Sequence, residues 1–184
     1  MNYLFVMGAS GSGKTTIAKK LQKIKPEKYK WLTQTTTRPA RPNEKEGREY
    51  FFLTDEQYDL MEYEGQLVAK VKYEFPPARY GTPRKDLHIS KTNIIVASIE
   101  GFLDAYNWIS EGNQISVLFI KDVKPEVERD ERNYSNEEKY NKIVLRTLSE
   151  GKQKFRLVEI THEDLKRIRN NKSLLLEYIS ERGL

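Results

Sequence analysis

The chain has 184 residues, enough for one sizeable core and too few for two independent ones. A charged fraction of 32%, a mean hydropathy of −0.75 and no apolar run of spanning length argue against a membrane-crossing helix. With no cysteine there is no disulfide framework, thiolate metal site or cysteine nucleophile, which suits a reducing cytoplasm, and the net charge of +5 points to anionic partners.

Residues 3–7 read as a buried strand and run straight into Gly8-Ala9-Ser10-Gly11-Ser12-Gly13-Lys14-Thr15, so this N-terminal run is not read as a signal peptide. The loop fits G-x-x-x-x-G-K-[ST], and residues 15–24 read as the helix leaving it, with Ile17, Leu21 and Ile24 on one face. Glycines let the backbone curl with positive φ, so that successive N–H groups converge on an anion at the helix N-terminus. Lys14 would place a cation on the outer phosphates, and the Thr15 hydroxyl can ligate Mg²⁺. A plain strand-to-helix turn would need neither Lys14 nor Thr15, so these residues, continuing to Thr16, form the candidate phosphate-binding site.

Residues 29–34 read as a second strand, followed by a polar, Pro-punctuated loop over 35–44 that carries Arg38 and Arg41. Residues 50–53 form a short aromatic strand. Thr54 with Gln57 resembles a capping box opening a helix of about ten residues that stops before Gly65. Residues 66–73 alternate as an antiparallel strand should. Pro76-Pro77 breaks the chain over 74–79, and 80–83 turns into a helix reaching His88. Buried strands are expected at 93–97, 115–120 and 156–160, and an amphipathic helix at 100–109 with Phe102, Ala105, Tyr106 and Ile109 inward. Charged helices are expected at 126–132 and 136–155, and the C-terminal remainder is helical, with Leu174, Leu175, Tyr178 and Ile179 as its apolar face.

This order predicts an α/β fold: a three-layer, mostly parallel sheet with helices on both faces, of the P-loop NTPase type. Short tyrosine-rich strands predict a small antiparallel β insertion over the strands' C-terminal ends.

Several motifs in this order resemble the guanylate kinase family. They are the loop Gly8-Ala9-Ser10-Gly11-Ser12-Gly13-Lys14-Thr15, then Thr36-Thr37-Arg38-Pro39-Ala40-Arg41, Gly47-Arg48-Glu49-Tyr50 and Arg79-Tyr80-Gly81-Thr82-Pro83, followed by residues 94–101 and a stretch with Arg129, Arg132 and Arg146. The resemblance covers about residues 3 to 165. It implies a nucleoside monophosphate kinase in one unit: a core of 1–33, 83–124 and 150–184, an acceptor-binding insertion of 34–82, and a helical lid of 125–149. ATP and Mg²⁺ would sit on Gly8, Ala9, Ser10, Gly11, Ser12, Gly13, Lys14, Thr15 and Thr16, with Thr15 on the metal. The acceptor, GMP or dGMP by default, would be held by Gln34, Arg38, Arg41, Tyr50, Tyr80, Thr82 and Glu100. Lys14, Arg38, Arg132 and Arg146 would carry the catalytic charge.

The residue types agree independently. A phosphate dianion calls for forked guanidinium donors, and tyrosine hydroxyls add neutral ones. The plainer readings are exposed loop charge for Arg38 and Arg41, a core residue for Tyr50, surface charge for the helical arginines, and a carboxylate complementing a helix dipole for Glu100. Three positions depart from the family pattern: Gln34 where a serine is usual, Ala69 where a base-reading glutamate is usual, and Ser98-Ile99-Glu100 in place of D-x-D. Guanine presents adjacent N–H donors that Ala69 cannot receive, so a related kinase with a changed acceptor (a modified or pyrimidine deoxynucleotide, or a sugar phosphate) is a second reading. A catalytically silent protein-interaction module is a third, against which Lys14 and Thr15 speak. No concentrated arginine–aromatic patch is present, so nucleic acid is not an expected partner, nor is a membrane. A cytoplasmic monomer or homodimer is expected. His88 and His162 have no metal-ligand spacing, and Trp31 and Trp108 read as core or boundary residues.

Overall fold

The computed structural model describes residues 1–74, 76–109, 112–122, 134–149 and 155–184. Five strands make a parallel sheet in the order β2-β7-β1-β8-β9: β1 (Asn2–Gly8), β2 (Tyr29–Trp31), β7 (Thr92–Val96), β8 (Gln114–Lys121) and β9 (Arg156–Thr161). The central strand β1 is buried on both faces, which is why residues 3–7 read as an unbroken apolar run. One face is covered by α1 (Lys14–Ile24), α5 (His162–Arg169) and α6 (Lys172–Glu181). Their residues Ile17, Leu21, Leu165, Ile168, Leu175 and Ile179 pack on Leu4, Val6, Leu118 and Ile160. On the other face α3 (Ile99–Trp108) and α4 (Tyr134–Ser149) bring Phe102, Ala105 and Leu145 against Phe5, Met7, Val117 and Phe119. This is the expected three-layer arrangement.

A second sheet has the order β4-β3-β6-β5, from β3 (Gln34–Thr36), β4 (Tyr50–Phe52), β5 (Leu67–Glu74) and β6 (Pro77–Pro83), with α2 (Asp55–Tyr63) alongside. It is mixed rather than wholly antiparallel, because β3 and β4 run parallel while β3–β6 and β5–β6 are antiparallel. The long loop from 37 to 49 makes the parallel return possible. Thr54 caps α2, and the reciprocal bonds with Gln57 complete the capping box.

Several readings change. The strand expected over 29–34 is two, with Trp31 ending in the main sheet and Gln34 beginning in the second. Residues 77–83, read as a break and a turn, form β6, paired with β5 through Lys72↔Arg79 and Tyr73↔Ala78. Pro77 is tolerated because it is the first residue of that strand. The helix expected to reach His88 is only a single 3₁₀ turn, Arg84–Asp86. Leu174 is 42% exposed and does not join Leu175 and Ile179 in the core. The helix expected at 126–132 lies outside the described residues, and Phe155, expected to end a helix, follows α4 as a buried, non-helical residue.

Candidate functional site

At the C-terminal end of β1 the chain turns through Gly8, Gly11 and Gly13 with φ of 146°, 78° and 91°. A Cβ at Gly8 would stand 2.6 Å from the Ile120 carbonyl oxygen, so close approach of the loop to β8 requires glycine there. Gly13 serves as the N-cap of α1, leaving the helix's first N–H groups directed at the loop's concavity. The Lys14 ammonium donates to the Gly8 and Ala9 carbonyls at 2.8 and 2.7 Å. Ser10 is exposed on the rim, Ser12 is fully buried beneath, and Thr15 and Thr16 are exposed on the first turn of α1.

The second sheet faces this loop. A cleft of about 340 Å³ is lined on one side by Gly8, Ser10 and Lys14 and on the other by Gln34, Arg38, Arg41, Tyr50 and Tyr80. Register explains the clustering: Gln34 pairs with Tyr50, and Thr36 pairs with Tyr80, so three strands converge on one spot. The Tyr50 and Tyr80 rings meet edge-on at 5.7 Å, and the Arg38 guanidinium stands 5.5 Å from the Tyr50 ring. Burial foremost, with the neighbouring Tyr80, pushes the Tyr50 phenol up despite Arg38, so Tyr50 keeps its proton at neutral pH and is a neutral donor. From behind, the Tyr58 hydroxyl donates to the Tyr80 carbonyl at 2.8 Å, and Arg79 stacks 4.6 Å from the Tyr58 ring while pairing with Asp55 and Asp59.

Glu44 also lines the cleft and was not singled out from sequence. Its carboxylate accepts from Arg38 Nη2 at 2.9 Å to each oxygen and from the Arg41 backbone N–H at 2.9 Å. Burial alone would raise its pKa, but these bonds and the two arginine charges outweigh it and hold the carboxyl below its usual range. The available signal was a carboxylate three residues after Arg41 in a tight loop, which no motif distinguishes from ordinary surface charge.

Other expected residues lie apart from the cleft lining. Thr82 is fully buried, receiving the Gln34 amide N–H at 3.4 Å. Glu100 is exposed on the first turn of α3. Arg146 extends toward Glu159, 3.5 Å away, a carboxylate also paired with Lys121 and Lys142. Arg129 and Arg132 are outside the described residues. Ala69 does line the cleft, buried and at φ 55°, where β5 bulges between Val68 and Val71. His162 is a buried residue opening α5, and Arg84 stacks 4.5 Å from the Trp108 ring.

For a magnesium ion the available donor is the Thr15 hydroxyl; Glu44 and Glu49, in the same smaller cavity of about 180 Å³, are engaged by Arg38 and Arg41 and by Arg48. An oxygen donor suits a hard cation. Among the described residues no cluster of three or more His, Cys, Asp or Glu could hold a metal ion.

A strand–glycine loop–helix unit facing an arginine–tyrosine cradle across one cleft defines a P-loop α/β protein. The sequence model of the family described as guanylate kinase matches residues 1–171, and the chain belongs to that family. The guanylate kinase of Thermobifida fusca (strain YX) is 44% identical over 79 residues, covering 42% of this chain and 38% of that protein. The guanylate kinase of Thermosynechococcus vestitus (strain NIES-2133 / IAM M-273 / BP-1) is 35% identical over 99 residues, 53% of this chain and 50% of that protein. The matches thus span about half or less of these curated relatives. A crystal structure of guanylate kinase from Anaplasma phagocytophilum superposes with a TM-score of 0.59 at 20% identity, covering 96% of this chain and 85% of that one, a likeness of fold. No helix among the described residues is long and apolar enough to cross a membrane.

Proposed function

We propose that the protein is a nucleoside monophosphate kinase that transfers the γ-phosphate of ATP to GMP or dGMP. One observation carries the reading: Gly8, Ser10 and Lys14 share a single cleft with Arg38, Arg41, Tyr50 and Tyr80. Phosphoryl transfer between two anions needs positioning and charge neutralisation rather than a covalent nucleophile, and these groups supply both. The loop amides and Lys14 would hold the ATP phosphates, while the arginines and tyrosines would hold the acceptor phosphate. Mg²⁺, bound through Thr15 and the phosphates, would neutralise charge on the transferring group. The core (1–33, 83–124, 150–184), acceptor insertion (34–82) and lid (125–149), with Arg132 and Arg146 as lid cations, belong to this reading, as does a cytoplasmic monomer or homodimer.

The test is an ADP-release assay with ATP and a panel of nucleoside monophosphates and sugar phosphates. Turnover with GMP or dGMP above the others is expected. ATP binding without turnover of any acceptor would overturn the kinase reading.

A further inference from the structure

Asn141 carries a buried polar atom that neither the cradle nor the phosphate loop uses. It sits on α4 at 7% exposure, and its side-chain oxygen has no hydrogen-bond partner. A buried acceptor without a donor is costly, so an orphaned one in a native fold calls for an explanation. The residue lines the cleft. Leu145, one turn later on the same helix face, packs in the cluster containing Ala69, Ala97 and Ile99, three residues that also form the cleft's apolar wall. Asn141 therefore belongs to the part of the cleft where a base would lie.

On that wall Ala69 has no polar side-chain atom. Gln34, elsewhere in the lining, donates its amide nitrogen to Thr82 and keeps its amide oxygen as an acceptor. The Ser98 oxygen accepts from the Gly101 N–H that it caps. The carboxylate lining the cleft, Glu44, is engaged by Arg38 and Arg41. A purine monophosphate anchored through its phosphate on the arginine–tyrosine cradle would lay its ring on the apolar wall.

We propose that Asn141 is a specificity-determining residue of the acceptor site, its side-chain oxygen accepting a hydrogen bond from the exocyclic 2-amino group of guanine. The proposal rests on the kinase reading above. The neutral amide from α4 does for the base what Ala69 cannot.

The test compares kcat/KM for GMP and IMP, which lacks the 2-amino group, in the wild type, Asn141→Leu and Asn141→Asp. The wild type is expected to prefer GMP by about 10- to 100-fold, the effect of one buried hydrogen bond. Asn141→Leu should lose that factor for GMP alone, bringing the ratio close to one, with KM for ATP unchanged. Asn141→Asp keeps an oxygen acceptor and should keep the preference. Because leucine removes an unsatisfied polar group, the Asn141→Leu melting temperature should hold or rise. An equal loss for GMP and IMP would overturn the proposal, as would an unchanged ratio or a change appearing between GMP and dGMP instead. A wild-type ratio near one overturns it without any variant. If no monophosphate is turned over, the kinase reading fails separately, and calorimetric binding of GMP against IMP to the same proteins still decides Asn141.

Discussion

Arg38 commits one terminal nitrogen to both oxygens of Glu44, at 2.9 Å each, while its other terminal nitrogen donates to the Pro39 carbonyl at 2.6 Å. An arginine free in a loop would be a poor receptor for a phosphate, because its side-chain entropy would be lost on binding. Here that loss is taken on folding, and the guanidinium is presented beside Tyr50 and Tyr80 in a fixed orientation.

Arg38→Ala should therefore act on the acceptor. Loss of charge-assisted bonds to a phosphate, about 1.5–3 kcal/mol, corresponds to a rise in acceptor KM of about 10- to 100-fold. KM for ATP should stay within about twofold. Steady-state kinetics with each substrate varied in turn checks this, and unchanged acceptor KM would remove Arg38 from the site.

Glu44→Gln probes the other half of the pair through pH. The Glu44 carboxyl is held below its usual range, so its contribution to stability is fully present above the unfolded carboxylate pKa of about 4.3 and is lost as pH falls through the lowered folded value. Near pH 6 the wild type should melt above Glu44→Gln by a few degrees, the equivalent of about 1 kcal/mol in a chain of this size. Toward pH 3 the difference should close. Thermal melts of both proteins from pH 3 to 6 measure it, and a constant gap would show that Glu44 is not the titrating partner.

Much of this architecture can be read from residue order. The run from Tyr3 to Met7 followed by three spaced glycines, Lys14 and Thr15 allows few other structures, and the strand–glycine loop–helix unit stands where that pattern puts it. The cradle was legible because Arg38, Arg41, Tyr50 and Tyr80 fall in ordered motifs. Strand boundaries in the second sheet were harder. Pro76-Pro77 reads as a breaker locally, yet Pro77 begins β6, because hairpin pairing with β5 is a long-range fact that overrides local propensity. Nor could the sequence separate Trp31 from Gln34 into different sheets, since the chain passes between them in only two residues. Asn141 carried no signal whatever: an asparagine on a charged helix is ordinary until packing buries it.

Lys14→Ala should cut turnover steeply while the protein remains folded. The ammonium donates to the Gly8 and Ala9 carbonyls of its own loop, so these two bonds tie down no distant element. In transfer, a cation fixed beside the outer phosphates stabilises developing charge, and removing one such group typically costs about 10²- to 10³-fold in kcat. The check is kcat by ADP release alongside far-UV circular dichroism. Retained turnover in a folded variant would mean that Lys14 does not reach the reacting phosphate.

Gly8→Ala separates the shape of the loop from its charge. The residue has φ 146°, a region L side chains rarely adopt, and an added Cβ would stand 2.6 Å from the Ile120 carbonyl and 3.1 Å from Ser12 Oγ. The contacted atom nearest the new methyl is backbone of the neighbouring β8, which cannot swing away without disturbing the sheet. Backbone strain and overpacking of this kind cost about 1–3 kcal/mol each, so a loss of about 2–6 kcal/mol is expected. ATP binding should fall with it, since the amides would no longer converge on one point. Urea unfolding and calorimetric titration with ATP give the two quantities. A Gly8→Ala protein with unchanged stability and ATP affinity would show that the strand end, rather than the loop, absorbs the extra carbon, and that the close approach of Gly8 to β8 is not what shapes the phosphate-binding concavity.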